Sequence, residues 1–129
     1  MKLTPLIRAI TKYDTEHRTD NIKPILVHIG QHYDYEMSQV CFQELEIPEP
    51  LYLGIGSGTH AQQTGKIMIE LEKALTIEKP DLVIVVGDVN STMAAALMAT
   101  KLHIPVAHVE AGLRSVDRSM SEETNRILA

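Results

Sequence analysis

KPDLVIVVGDVNSTMAAALMATKLHIPVAHVEAGLR, residues 79–114, decides the fold. Leu82–Val86 is a continuous apolar, largely β-branched run with turn residues on both sides; it is too short to cross a bilayer and reads as a strand buried on both faces. Gly87 and Asp88 end it. Asn90 or Ser91 offers a side-chain oxygen to cap a helix running to about Leu102, and its alanines (Ala94, Ala95, Ala96, Ala99) let that helix lie close on a sheet. His103, Ile104 and Pro105 break the helix, and Val106–Val109 forms a second apolar strand that ends at Glu110. This is a βαβ unit, so the two strands are expected to be parallel, with a right-handed crossover. Ligands of open parallel sheets bind beyond the carboxyl ends of the strands. Asp88 and Glu110 sit at that edge, one from each strand.

On the amino-terminal side, Leu3, Leu6, Ile7 and Ile10 recur at helical spacing, which predicts a helix from residue 3 to about 13 with Pro5 in its first turn. Ile25–Ile29 reads as a strand ending in Gly30, Gln31 and His32. Met37, Val40, Cys41 and Leu45 mark a second helix stopped by Pro48 and Pro50, and Leu51–Leu53 is a brief strand. GIGSGTH, from Gly54 to His60, is a glycine-rich loop without the spacing of a phosphate cradle, read here as flexible. Ile67, Met68, Leu71 and Leu75 stripe the next helix, closed by Lys79 and Pro80. Beyond Arg114, Ser119 and Glu122 have capping-box spacing, so a helix starts at about Met120 and carries Glu122, Glu123 and Arg126. Strands alternating with helices give a doubly wound, Rossmann-like parallel α/β sheet. A first helix of this kind returns from a strand of the same sheet, and none precedes it; residues 1–129 are therefore expected to be an incomplete domain, open at both ends.

Twelve basic and seventeen acidic residues give a net charge of −5, and aromatic residues make up 4% of the chain. Neither a phosphate-tracking groove nor a base-stacking platform follows from that, which argues against nucleic acid as a partner. The lone Cys41 allows no internal disulfide, and no stretch approaches the ~20 apolar residues of a membrane span or forms a signal-peptide core, so the reading is cytoplasmic. The six histidines lack metal-ligand spacing, so no metal is proposed; no cofactor is expected either. His28 and His108 read as core or rim residues of strands, and His32, beyond a strand end, as the better site candidate.

Three carboxylates carry the candidate chemistry: Asp88, Glu110 and Glu122. Asp88 alone is equally a helix cap, and for Glu122 or Glu123 taken alone the reading as a helix-start residue paired with Arg126 prevails. Glu110 follows an apolar run and precedes Ala111 and Gly112, where a charge is costly without a partner or a purpose; Arg114 is the available partner.

KLTPLIRAI at 2–10, GQH at 30–32, KPDLVIVVGD at 79–88, HVEAGLRS at 108–115 and EETNR at 122–126 together resemble the non-hydrolysing UDP-N-acetylglucosamine 2-epimerases, over essentially the whole chain. The resemblance covers about the first third of such an enzyme. It implies the N-terminal half of a glycosyltransferase-B-like two-domain architecture, with UDP-sugar bound between the halves and the second nucleotide-binding domain absent from this chain. The implied reaction inverts C2 of UDP-N-acetylglucosamine to give UDP-N-acetylmannosamine, a polysaccharide precursor, by eliminating UDP and adding it back. By motif match the acidic active-site residues are Asp88, Glu110 and Glu122, and the substrate-binding residues are Lys2, Gln31, His32, Arg114 and Arg126. A homodimer is implied for the full-length enzyme, and the chain alone is expected to be inactive. Ser121 stands where the family has proline, and Tyr33 and Asp34 stand where substrate-activated members carry arginine, so the match does not extend to allosteric activation. Rival readings are a hydrolysing 2-epimerase, which has H-x-G-G-E in place of HVEAG, a glycosyltransferase of the same architecture, and a non-catalytic nucleotide-sugar-binding fragment.

Overall fold

The computed structural model describes residues 3–17, 22–30 and 49–129. The chain divides into two compact units, Met1–Gly54 and Ile55–Ala129.

In the first unit, helix α1 (Thr4–Glu16) has Pro5 in its first turn, where the missing N–H costs nothing. Its buried Ile7 packs against Leu3, Leu26 and Tyr52. Strands β1 (Val27–His28) and β2 (Leu51–Tyr52) pair in parallel, Val27 opposite Leu51 and His28 opposite Tyr52. The strand expected over Ile25–Ile29 is thus regular for only its central pair of residues. The helix expected around Met37–Leu45 lies outside the described residues.

The second unit is the βαβ module read from the sequence. Helix α2 (His60–Glu78) precedes β3 (Val83–Val86), helix α3 (Asn90–Lys101) crosses over, and β4 (Val106–Val109) pairs with β3 in parallel from Val83–Val106 to Val86–Val109. Val83 N–H donates to Pro105 and Gly87 N–H to Val109, extending the ladder at both ends. Ala94 and Ala99 are wholly buried, and Leu75, Met98 and Ala99 form a cluster with Met68, Val83, Leu102, Ile104 and Val106. Alanine's small side chain is what lets α3 sit this close to both α2 and the strands. Helix α4 (Ser121–Leu128) packs on α3. A cavity of about 300 Å³, lined by Leu75, Thr76, Lys79, Pro80, Leu102 and Ile104, lies at the amino ends of β3 and β4. The candidate carboxylates are at the opposite, carboxyl ends.

Three expectations are corrected. Leu82–Val86 is not buried on both faces: Val85 is buried, whereas Leu82 and Ile84, on the alternate face, are exposed. Neither Asn90 nor Ser91 caps α3, which starts at Val89 without a side-chain cap, because the Asn90 amide is engaged elsewhere. The Ser119–Glu122 capping box does not form either; Ser119 Oγ donates to Asp117, and α4 starts at Met120 uncapped. A capping box forms instead at the end of the glycine-rich loop, where Thr59 accepts from Gln62 N–H and the Gln62 side chain accepts from Thr59 N–H.

Candidate active site at the carboxyl ends of β3 and β4

Asp88 directly follows Gly87, whose φ of +78° turns the chain off β3 in a conformation that glycine adopts at no steric cost. Glu110 ends β4 with a φ of +69°, unusual for a residue with a side chain. Its Oε2 lies 4.0 Å from where a Cβ on Gly87 would stand, so the Glu110 carboxylate reaches over the turn that carries Asp88. His108 Nε2 and the Gly87 carbonyl are hydrogen-bonded at 2.7 Å, joining the two strand ends a second time. His108 is a half-buried rim residue, as its place in the strand suggested.

Helix α4 inverts the usual amphipathic order. It buries Glu123 and Asn125 and exposes Ile127 and Leu128. A buried carboxylate is tolerable only when its lone pairs are filled. Glu123, wholly buried, accepts from Arg114 Nε at 2.6 Å, Ser115 N–H at 3.0 Å, Ser115 Oγ at 3.1 Å and Arg126 Nη1 at 3.2 Å. The Ser115 backbone N–H above all, then Arg114, Arg126 and the Ser115 hydroxyl, outweigh desolvation and hold the carboxyl at about 2. Arg126 Nη2 also donates to Asp88 Oδ2 at 2.5 Å, and Asp88 first and Glu123 second raise its guanidinium above its usual range.

Asn125 supplies a second tie. Its Nδ2 donates to the Asp88 carbonyl at 3.0 Å and to Asn90 Oδ1 at 3.2 Å. That leaves Asn90 Nδ2 to face Gln63 Oε1 at 2.9 Å and His60 Nδ1 at 3.2 Å. The chain of amides is anchored on a backbone carbonyl, which can only accept, so each later orientation follows from it.

The three candidate carboxylates therefore stand on three segments converging on one edge of the module. Asp88 is paired with Arg126, and Glu110 leans over Gly87. Among the described residues Glu122 accepts from Ser121 Oγ at 3.1 Å and bonds neither Asp88 nor Glu110. Arg114 pairs with Glu123, not with the Glu110 that its sequence position suggested. Lys2, Gln31 and His32 lie outside the described residues. The sequence reading passed over Glu123 and Asn125 as site residues. The i,i+3 spacing of Glu123 and Arg126 was visible, but a burial that contradicts polarity has no local signal.

A parallel βαβ module with an acidic residue at each strand end, Asp88 braced by Arg126 from the following helix, defines the class as a Rossmann-like α/β half-domain. Residues 15–129 match the family described as UDP-N-acetylglucosamine 2-epimerase, and the chain belongs to that family. It is 54% identical over 129 residues to the UDP-N-acetylglucosamine 2-epimerase of Methanocaldococcus jannaschii, a match that takes in 99% of this chain and 33% of that protein. It is 51% identical over 121 residues to the UDP-2,3-diacetamido-2,3-dideoxy-D-glucuronate 2-epimerase of Pseudomonas aeruginosa, covering 93% of this chain and 34% of that one. The M. jannaschii enzyme solved in complex with UDP-GlcNAc and UDP superimposes with a TM-score of 0.85 at 54% identity, over 98% of this chain and 33% of that one. The UDP-GlcNAc 2-epimerase of Neisseria meningitidis bound to UDP-GlcNAc gives 0.83 at 33% identity, over 98% and 34%. The chain thus spans about a third of the length of the curated relatives it matches. The Rossmann-like fold class read from the sequence stands.

Proposed function

We propose that this chain supplies the acid–base half of a UDP-N-acetylglucosamine 2-epimerase, which inverts C2 to give UDP-N-acetylmannosamine. The observation that carries the reading is the convergence of Asp88, Glu110 and the Glu122-bearing helix on one strand edge, with Asp88 held by Arg126. The C2 proton has no adjacent carbonyl to acidify it. A carboxylate removes it as the C1–O bond to UDP breaks, and the C–H electron pair becomes the C1=C2 bond of 2-acetamidoglucal. UDP oxygen then re-adds at C1 while a carboxylic acid on the opposite face delivers a proton to C2. Two carboxylates on different segments suit that two-faced demand, each contributing on the scale of ~10²–10⁴-fold. Positive charge near the diphosphate aids its departure, the role proposed for Lys2, Arg114 and Arg126, while Gln31 and His32 are proposed to bind the substrate. The two thirds of the relatives' length that the chain does not span are proposed to include a second nucleotide-binding domain that closes the cleft. The whole protein is proposed to be a cytoplasmic homodimer, its assembly checked by light scattering.

The test joins residues 1–129 to the remaining two thirds of the M. jannaschii enzyme and follows UDP-N-acetylglucosamine in D₂O. The expected product is UDP-N-acetylmannosamine carrying deuterium at C2, with none formed by the 129-residue chain alone. Free N-acetylmannosamine plus UDP would assign a hydrolysing enzyme, and turnover only with an added acceptor a glycosyltransferase. The P. aeruginosa relative is nearly as similar, so UDP-2,3-diacetamido-2,3-dideoxy-D-glucuronate is the second substrate to offer. No exchange at C2 of either sugar would refute the reading.

A further inference from the structure

Glu123 is fully buried and charged, and nothing in the proposed chemistry uses it. Its four hydrogen bonds reach two separate segments: Arg114 and Ser115, which follow Glu110 by a few residues, and Arg126, which carries the charge on to Asp88. Glu123 itself adjoins Glu122 in α4. Each of the three candidate carboxylates is therefore on a segment that this one buried group holds. The stretch between Glu110 and Glu122 is also strained. Val116, beside Ser115, has a φ of +62° and is 81% exposed, a left-handed conformation that a β-branched side chain disfavours and that only fixed neighbours can impose. Ser115 is fixed on one side by Glu123, and Asp117 on the other by Ser119 N–H and Oγ.

We propose that Glu123 is a positioning residue for the reaction, holding Arg114, Ser115 and Arg126 so that Asp88, Glu110 and Glu122 keep one relative geometry. It touches no reacting atom and acts through the arginines. The inference rests on the epimerase reading for its consequence, but its geometry is testable without turnover. An error of about 1 Å in such an arrangement can cost ~10²-fold in rate. Glu123→Gln keeps the shape of the side chain. Its NH₂, however, must face one or more of Arg114, Ser115 and Arg126, all of them donors.

The first arm uses the 129-residue chain and nitrogen-edited NMR of the arginine side chains. In E123Q, proton exchange at Arg126 Nη is expected to quicken at least ~10-fold, although its partner Asp88 is untouched. Exchange within twofold of wild type in a folded E123Q would overturn the proposal. Should E123Q not fold, Glu123→Asp keeps the charge and withdraws it by one methylene, and the same readout decides. The second arm uses the M. jannaschii chimera and a double-mutant cycle. E123Q is expected to lower kcat ~10- to 100-fold with KM within threefold, and to cost several-fold less once Arg126→Ala is present, the remainder being the part that runs through Arg114 and Ser115. Additive losses would mark Glu123 as merely structural and sink the claim. A wild-type chimera without C2 exchange refutes the epimerase reading instead, and the exchange arm then decides the positioning alone.

Discussion

Asn125 and Asn90 are hydrogen-bonded to each other, yet turning each into aspartate should have opposite consequences. Asn125 Nδ2 points at the Asp88 carbonyl, which cannot turn round, and at Asn90 Oδ1. Asn125→Ala removes both bonds and leaves two acceptors unmatched. Asp88 and Asn90 are half-buried, so water recovers part of the loss and the lower end of the range applies, about 1 kcal/mol each. Alanine returns about 0.5 kcal/mol of helix propensity in α4, for a net cost of about 1.5 kcal/mol, or roughly 6 °C in Tm. Asn125→Asp loses the same two bonds and sets a buried carboxylate oxygen against two acceptors, so it should cost about 3 kcal/mol. Asn90→Asp behaves differently, because Gln63 can rotate its amide and His60 can donate from Nδ1. It also places negative charge on the first residue of α3, and should stay within ~0.5 kcal/mol of wild type. The assay is thermal unfolding followed by circular dichroism at pH 7, on the three variants beside wild type. If N125D were as stable as N125A, or N90D were the worst of the three, the amide chain would not be anchored on the Asp88 carbonyl.

Glu123 governs acid stability. Its folded pKa is depressed from 4.5 to about 2, so its contribution is complete above about pH 4.5 and fades as pH falls toward 2. Wild-type Tm should therefore drop across that window more steeply than that of E123Q, and parallel profiles would rule the mechanism out. Val116→Gly relieves a left-handed φ worth about 1–2 kcal/mol, offset by about 0.5–1 kcal/mol of unfolded-state entropy. A Tm rise of roughly 2–4 °C is expected, and a fall would show that Val116 is not strained. In the chimera, Glu110→Gln keeps the shape at the positive-φ turn and should fold normally while kcat falls at least ~10²-fold. Turnover within a few-fold of wild type would demote Glu110 to a structural role.

The βαβ module was legible because its signals are local. A β-branched run, an alanine-rich helix and a second run fix element type by periodicity, and their order alone forces parallel pairing; β3 and β4 emerged within a residue of where the sequence put them. The pair of acidic strand ends followed from the same order. The partners of those acids did not. Arg114 pairs with Glu123 nine residues on, and Arg126 with Asp88 thirty-eight residues back, distances at which no periodicity operates. Ser119 and Asn90 were read as caps because capping is a short-range rule, and each was outbid by a partner the rule did not weigh: Asp117 for one, Asn125 and Gln63 for the other. Helix α4 makes the division plain. Its sequence offers three charged residues and two apolar ones for burial, and polarity alone chooses Ile127 and Leu128. Only the approach of Arg114 and Ser115 from another segment supplies three of the four hydrogen bonds that make Glu123 the one to bury, Arg126 of the same helix giving the fourth.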